Sequence, residues 1–427
     1  MSRPIHHTFA PLADRRQVWL SLRLLLRHCV RPLSFRERGL GGEGEALRMA
    51  LSDTFHGRAF LFASGREALL ALFQSDQERF RKGDEVIVQG YTCVVVSNAI
   101  IAAGLVPVYC DIEKDTLSLD PQAVEHAVTP RTKAVLCQHT FGIPAPVAAL
   151  REICDRRGLL LIEDCAHILP DESGPEEIGT HGDALLFSFG RDKAISGITG
   201  GAIILHSRNN ESTNKRINES LLAQEHRAQE LPGNIIRHLL LYPLLYAIAR
   251  PLYGIGLGKA ILTAARALRL LVPIVTPGEK EGRQPAALHR IPEPCAALAL
   301  DQLRRIKQIN DHRRSLTRTY LEACAEHGWG VLHGIRSDLP LQKFPLFVKE
   351  AEKIRRELKK QNIHLHDGWT GCVVCPADVH IDEVGYRRGS DPKAEEVCEE
   401  ILTLPTHPGV RNHDVFRLVK ALASFLQ

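Results

Sequence analysis

LLLIEDCAH (residues 159–167) and ALLFSFGRDK (residues 184–193) both run from a short apolar stretch into polar and charged residues. Short runs rich in β-branched and other apolar side chains predict strands that are buried on both faces. The same kind of run recurs through the first half of the chain. We predict four more strands there, at residues 85–90, 106–112, 133–140 and 201–205.

Helical patterns lie between these strands, for example at 147–157 and at 121–128, where Asp120 can cap the helix and Pro121 suits its first position. Strands that alternate with helices predict an α/β fold with a large, mostly parallel sheet flanked by helices. Ligands of such sheets bind beyond the carboxyl ends of the strands.

The last third of the chain predicts a smaller C-terminal α+β domain. Its pattern is one long helix over 300–328, a strand over 342–350 and a helix over 351–362. We therefore expect three parts: an N-terminal amphipathic arm over 1–50, a large domain over 51–300 and a small domain over 301–427.

The composition limits the function classes. The chain has 427 residues, and 54 basic against 50 acidic residues leave a net charge of only +4, which does not favour nucleic acid as a partner. Eleven cysteines without regular spacing predict thiols in a reducing compartment, so a cytoplasmic location is expected. Cys372 and Cys375 form half of a zinc pattern near His380, but no second ligand pair follows, and we predict no metal.

Three segments bring chemistry to the predicted strand ends. Asp164 ends one strand, Lys193 follows another, and ASGREALLALF (63–73) is a flexible turn that enters a helix, whose N-terminus attracts anions. Singly, such an aspartate is often a helix cap and such a lysine is usually solvated. Together, an acid, an amine and an anion site are what pyridoxal phosphate requires.

The order of these segments resembles the DegT/DnrJ/EryC1/StrS family of sugar aminotransferases, which are fold type I pyridoxal-phosphate enzymes. The resemblance rests on SGREAL, GDEVIVQGYTCVVVSNAIIAAGLVPVYCDI, HTFGIPAPVAALREICDRRGLLLIEDCAH, GDALLFSFGRDK and the terminal LPTHPGV. These stretches cover most of residues 60–206. The resemblance implies that the large domain binds the cofactor.

The resemblance also implies residue roles. Lys193 would bind the cofactor covalently and move the proton, Asp164 would pair with the pyridine nitrogen, and His167 would contact the ring hydroxyl. Three further residues would hold the phosphate: Gly65, Arg66 and Ser188. Related dehydratases have histidine in place of the lysine, so the lysine favours transamination.

Some positions depart from the family pattern. Cys93 stands where many members stack an aromatic ring on the cofactor, and Arg66 replaces a hydroxyl-bearing residue. Leu288 stands where an asparagine would reach the cofactor phosphate of a partner subunit, although Arg290 is retained.

The resemblance implies that the protein is a homodimer that transfers an amino group from glutamate to a keto group of a nucleotide-linked sugar. Two alternatives stay open. One is a pyridoxal-phosphate enzyme that acts on a lipid-linked or non-sugar carbonyl. The other is a non-catalytic, membrane-associated member of the family.

An apolar, basic insertion is expected at about 207–287. Its stretch 237–275 has no acidic residue, and its apolar runs are too short and too broken by prolines and glycines for a spanning helix. Residues 19–33 have the same basic amphipathic character. Both stretches fit peripheral contact with the inner face of a membrane, or equally a hairpin packed on the protein's own core or at a dimer interface.

Overall fold

The computed structural model describes residues 4–7, 12–30, 42–206, 211–366 and 368–426. Residues 31–33 of the predicted N-terminal amphipathic segment lie outside this part of the chain. A seven-stranded sheet forms the centre of the fold.

Fifteen strands are present in the described residues, many of them only two residues long. They are β1 (Ile5–His6), β2 (Arg58–Phe62), β3 (Glu85–Gln89), β4 (Thr92–Cys93), β5 (Val106–Cys110), β6 (Ile112–Glu113), β7 (Ser118–Leu119), β8 (Thr132–Gln138), β9 (Leu160–Asp164), β10 (Ala184–Ser188), β11 (Gly201–Leu205), β12 (Lys343–Phe347), β13 (Ile363–His364), β14 (Val374–Cys375) and β15 (Ile401–Pro405).

The same residues form fifteen α-helices. They are α1 (Arg15–Val30), α2 (Glu43–Phe55), α3 (Gly65–Gln74), α4 (Val94–Ala102), α5 (Pro121–Ala127), α6 (Val147–Arg157), α7 (Glu211–Arg227), α8 (Gly233–Ala249), α9 (Leu257–Ala267), α10 (Pro277–Lys280), α11 (Glu293–Leu303), α12 (Ile306–His327), α13 (Ala351–Lys360), α14 (Pro392–Glu400) and α15 (Asn412–Ala423).

The central sheet has the strand order β2-β11-β10-β9-β8-β3-β5. Only β11 runs antiparallel to its neighbours, so the predicted α/β class with a mostly parallel sheet is confirmed. All six predicted strands are present. The sequence analysis missed the edge strand β2, whose short run RAFLF directly precedes the turn into α3.

Helices cover both faces of the sheet. One apolar cluster joins strand residues to α3, α4 and α7, and a second joins the other face to α5 and α6. The predicted cap of α5 is confirmed. The Asp120 carboxylate accepts the N–H of Gln122 (2.9 Å) at the start of this helix. These two layers leave the carboxyl ends of the parallel strands as the accessible edge of the sheet.

The C-terminal part pairs β12 with β15 and packs helices α12 to α15 around them. The predicted single helix over 300–328 is wrong, since α11 ends at Leu303 and α12 begins at Ile306. The chain turns there because the Arg305 N–H bonds the carbonyl of Gln302, and the Arg305 guanidinium pairs with Asp14 and Asp301. The domain boundaries at residues 50 and 300 stay predictions.

The insertion contains helices α7 to α10. Helices α8 and α9 pack together, and α8 packs against the N-terminal helix α1. The expectation that prolines break the stretch 237–275 is wrong for Pro243, because it lies inside α8 and the helix continues to Ala249. Pro243 lacks an N–H, and one missing backbone bond does not end a helix whose side chains are buried on a neighbour. No helix among the described residues is both long and apolar enough to cross a bilayer.

The N-terminal strand β1 pairs in parallel with β13 in the C-terminal part. The His6 ring stacks on His364 with 4.6 Å between centroids, and the His407 Nε2 lies 2.8 Å from the His6 carbonyl oxygen. Burial lowers the pKa of His6 and of His407 to about 3 and that of His364 to about 4. Nearby cations, Arg250 and Lys259, lower the pKa of His6 further.

We expect acid to destabilise the protein through these histidines. Unfolded histidine titrates near pH 6.5, so below that value the unfolded chain binds protons that the folded chain does not. Their contribution to stability is complete above about pH 6.5 and is lost as the pH falls towards 4. Urea unfolding at several pH values measures the free energy of unfolding. In a His6→Phe variant this free energy should fall less steeply as the pH decreases over this range, by about 1.4 kcal/mol per pH unit. The same change at exposed His333 should leave the slope unchanged.

The start of β11 passes very close to the start of α3. A Cβ on Gly201 would lie 2.3 Å from the backbone nitrogen of Gly65 and 2.5 Å from the carbonyl carbon of Ser64. Backbone atoms on both sides prevent a larger residue at position 201. This contact fixes the helix N-terminus against the edge of the sheet.

Gly201→Ala should therefore lower the free energy of unfolding by about 3 kcal/mol or more, because backbone atoms must move apart. Gly330→Ala is the matched control, since a Cβ there meets no atom within 4 Å and should change stability by less than about 1 kcal/mol. Chemical denaturation of both variants measures the difference. Equal stabilities would contradict the close approach.

Candidate functional site

The accessible edge of the sheet borders a cavity of about 510 Å³. Its wall includes the ends of β9 and β10, the start of α3, and residues from the insertion and the C-terminal part. The seven residues that the sequence analysis assigned to the cofactor all line it: Gly65, Arg66, Cys93, Asp164, His167, Ser188 and Lys193.

Asp164 ends β9 and is 3% exposed. Its Oδ1 accepts the N–H of Ala166 at 2.9 Å, which holds the carboxyl group at the cavity wall. Burial raises the pKa of this carboxyl group, while the Ala166 N–H and the amine of Lys193 oppose the rise. An ionised carboxylate at this depth calls for a cation beside it.

Lys193 lies in the loop that joins β10 to β11. The loop is anchored at its base, where the Phe189 N–H bonds the Gly200 carbonyl (2.8 Å) and the Gly197 N–H bonds the Phe189 carbonyl (2.9 Å). The lysine amine is close enough to affect the pKa of Asp164, His167 and Cys93. A loop with a fixed base thus places an amine opposite a buried acid.

His167 is buried between aromatic rings. Phe141 stacks on it at 5.8 Å, and Trp369 meets it edge-on at 5.0 Å. Burial, with the cations Lys193 and Lys343, lowers the pKa of His167 well below its usual value. Because the Nδ1 accepts the N–H of Phe141 (3.2 Å), the proton of the neutral ring is on Nε2.

The start of α3 forms one end of the cavity. Ser64 caps the helix by accepting the N–H of Glu67 at 3.3 Å. A Cβ on Gly65 would lie 3.0 Å from the Ser188 Cβ, so glycine lets the helix N-terminus approach the Ser188 hydroxyl. Backbone N–H groups at a helix start and a hydroxyl beside them suit a phosphate.

Arg66 has a partner that the sequence did not reveal. Its guanidinium pairs with the Glu279 carboxylate and donates to the Ile274 carbonyl oxygen at 2.7 Å. Glu279 is held by a capping box with Thr276 at the start of α10. The arginine therefore links the start of α3 to the insertion.

Cys93 ends β4, beside Cys375 of β14, and burial raises the pKa of its thiol. Leu288 and Arg290 do not line the cavity. Leu288 packs against the apolar cluster around α3, and the Arg290 guanidinium donates to the carbonyls of Ala228 and His226, both at 2.9 Å. In this chain Arg290 supports the backbone of the insertion.

Other residues at the cavity were not predicted. Gln138 ends β8 beside Asp164, and the strand-end rule applied to Asp164 would have found it. Trp369 comes from the C-terminal part and also lines the cavity. Lys280 and Asp378 form an ion pair at the wall, and residues 272–275 add an apolar strip.

The half-zinc pattern gains no further ligand in the described residues. The Sγ atoms of Cys372 and Cys375 lie 3.5 Å apart. A separate group, His139, Glu163 and Cys165, has ligand atoms within 4.8 Å of one another. Hydrogen bonds from the protein itself already engage this group. The Glu163 carboxylate accepts the N–H groups of residues 179, 181 and 182, and it lies 2.9 Å from the His139 Nε2.

The donor set fits pyridoxal phosphate. The buried Asp164 carboxyl group suits a protonated ring nitrogen, the Nε2–H of His167 suits a ring oxygen, and the helix start at Gly65 suits a phosphate. A side chain at position 65 would fill the space beside Ser188.

Comparison with known proteins supports this fit. A sequence profile of the DegT/DnrJ/EryC1/StrS aminotransferase family matches residues 48–230 and 274–423. The unmatched stretch between them, 231–273, lies inside the predicted insertion.

A curated relative is the L-glutamine:2-deoxy-scyllo-inosose aminotransferase of Streptomyces kanamyceticus. It is 43% identical over 122 residues, and the match covers 29% of this chain and 29% of that protein.

Two solved structures share the fold. DesI, crystallised with its TDP-sugar product, has a TM-score of 0.70 at 22% identity and covers 100% of this chain and 94% of its own. NtdA from Bacillus subtilis, with bound PMP, has a TM-score of 0.70 at 19% identity and covers 100% of this chain and 86% of its own. With the profile matched over most of its length, the chain belongs to the DegT/DnrJ/EryC1/StrS aminotransferase family.

Proposed function

We propose that this protein is a pyridoxal-phosphate-dependent aminotransferase. The observation that carries the proposal is that Lys193, Asp164 and the start of α3 line one cavity. Pyridoxal phosphate supplies an aldehyde that exchanges with amines and a ring that accepts electrons. The residues of this chain supply the binding and the proton transfer.

Lys193 is the proposed site of covalent attachment and the general base. With pyridoxal phosphate bound, the Lys193 amine would hold the cofactor covalently and would carry the proton that transamination moves. The Asp164 carboxylate would hold a proton on the ring nitrogen of the bound cofactor. The neutral His167 ring would donate its Nε2–H to the ring oxygen without adding charge.

The phosphate end uses the N–H groups at the start of α3 and the hydroxyl of Ser188. Arg66 adds positive charge there, tempered by its pairing with Glu279. Cys93 stands where related proteins stack an aromatic ring on the cofactor, so a cofactor bound here would have a smaller apolar contact on that face. These roles are proposals for the seven cavity residues.

The proposed acceptor is the keto group of a nucleotide-linked sugar, and the proposed assembly is a homodimer. The family resemblance implies glutamate as the donor. The name of the Streptomyces relative adds glutamine, so both amino acids belong in a donor screen. Leu288, in place of an asparagine, removes one expected contact across a dimer.

A second candidate acceptor is a lipid-linked or non-sugar carbonyl. The observation that favours it is the apolar part of the cavity wall, which is built from the insertion: Leu239, Val272, Pro273, Ile274 and Val275. A sugar hydroxyl has no hydrogen-bonding side chain on this strip. An acceptor with an apolar group would bury it there.

Labelling with the cofactor tests the proposal. The protein is incubated with pyridoxal phosphate, reduced with borohydride and digested, and the modified peptide is identified by mass spectrometry. We expect the label on Lys193, because its amine faces Asp164 in the cavity. Lys193→Ala should lose the label and reduce transamination from glutamate or glutamine to background.

Lys349→Ala is the matched control, since Lys349 is exposed and outside the cavity. It should keep both the label and the activity. The proposal would be contradicted if the wild type takes up no cofactor, or if the label persists in Lys193→Ala. Either result would favour a non-catalytic member of the family.

A further inference from the structure

Large apolar side chains are exposed mainly in two stretches of the described chain. Eleven such side chains are exposed, and seven of them lie in α1 or in residues 237–275. These seven are between 51% and 69% exposed: Trp19, Leu26, Ile248, Ile255, Leu257, Leu268 and Ile274. The two stretches therefore hold most of the exposed large apolar side chains of the described residues.

The same stretches carry only positive charge. Neither α1 nor residues 237–275 contain an acidic residue. Among the ion pairs between described residues, Arg16 bonds Asp301, whereas five of the other cations, which take part in none, are Arg23, Arg237, Lys259, Arg266 and Arg269. We call these five cations and the seven apolar residues the basic apolar surface.

The packing of these helices on the core does not depend on the basic apolar surface. Helix α9 buries Gly258, Leu262 and Ala265, which recur at helical spacing on its inner side. Helix α1 packs on α8 and α8 on α9, so the inner sides of all three helices have partners. On α1, Trp19, Arg23 and Leu26 follow one another at helical spacing on the outer side. A hairpin packed on its own core therefore does not explain these side chains.

The positive charge of the basic apolar surface distinguishes between two possible partners, a second copy of the chain and a lipid bilayer. A second copy docked through the same surface would set cations against cations, because a two-fold interface repeats one patch on both sides. Like charges across an interface are unfavourable. An anionic lipid surface offers phosphate groups to the cations and an acyl boundary to the apolar side chains.

We propose that the basic apolar surface docks in the plane of an anionic phospholipid bilayer. The cations lie against head groups, and Trp19, Leu26 and the exposed apolar residues of the insertion enter the head-group boundary. The strip at 272–275 belongs both to the insertion and to the cavity wall, so docking sets the cavity beside the bilayer. Docking does not rest on the proposed catalysis.

Vesicle flotation of the full-length protein tests this proposal. The protein should float with vesicles that contain phosphatidylglycerol, float much less with pure phosphatidylcholine, and leave the anionic vesicles as salt is raised. The Lys193→Ala variant should float like the wild type, which separates this result from the proposed catalysis.

Two sets of variants locate the surface. Arg266→Gln with Arg269→Gln should weaken binding about fivefold for each charge removed, and Arg387→Gln with Arg388→Gln, exposed on the C-terminal part, is the control of equal charge change. Leu268→Ser should also weaken binding, whereas Phe416→Ser, at a side chain of similar exposure on α15, should not. All these positions are at the surface, and circular dichroism checks the fold.

Three results would overturn the proposal. The wild type stays in the unbound fraction with both kinds of vesicle, or it floats equally with neutral vesicles. Alternatively, Leu268→Ser breaks a dimer in sedimentation without lipid, which would assign the surface to a second copy of the chain.

Discussion

The carboxyl group of Asp164 is buried at the end of β9, where an ionised group is stable only beside a cation. Parallel pairing fixes its surroundings, since β9 sets Asp164 next to Leu186 of β10 and the chain then leads to Lys193. The amine of Lys193 meets part of the demand, and the protonated ring nitrogen of a cofactor would meet the rest. The arrangement of the cavity follows from this one charge.

The parts of the fold and the site that could be predicted are those with a local sequence pattern. Strand runs and the rule that ligands bind at strand ends located Asp164 and Lys193 from the sequence, and the family resemblance added roles for Ser188 and His167. Local patterns carried this information. The short edge strand β2 was missed because RAFLF is brief and no helical pattern of its own was identified before it.

Contacts between distant segments were beyond prediction. Arg66 and Glu279 are 213 residues apart, and no local pattern indicates that they pair. Trp369 reaches His167 from the C-terminal part only because that part folds over the sheet edge. The insertion is similar: its composition indicated a basic amphipathic element, but only the fold distinguishes the buried inner sides of α8 and α9 from the exposed side chains. Through residues 272–275 it joins a surface feature to the cavity.

The most direct measurement is a crystal structure of the protein grown with pyridoxal phosphate. The account predicts continuous electron density from the Nζ of Lys193 to the cofactor, with the ring nitrogen within hydrogen-bonding distance of the Asp164 carboxylate and the phosphate at the start of α3. Density for the cofactor on another lysine, or a ring nitrogen that faces away from Asp164, would contradict it.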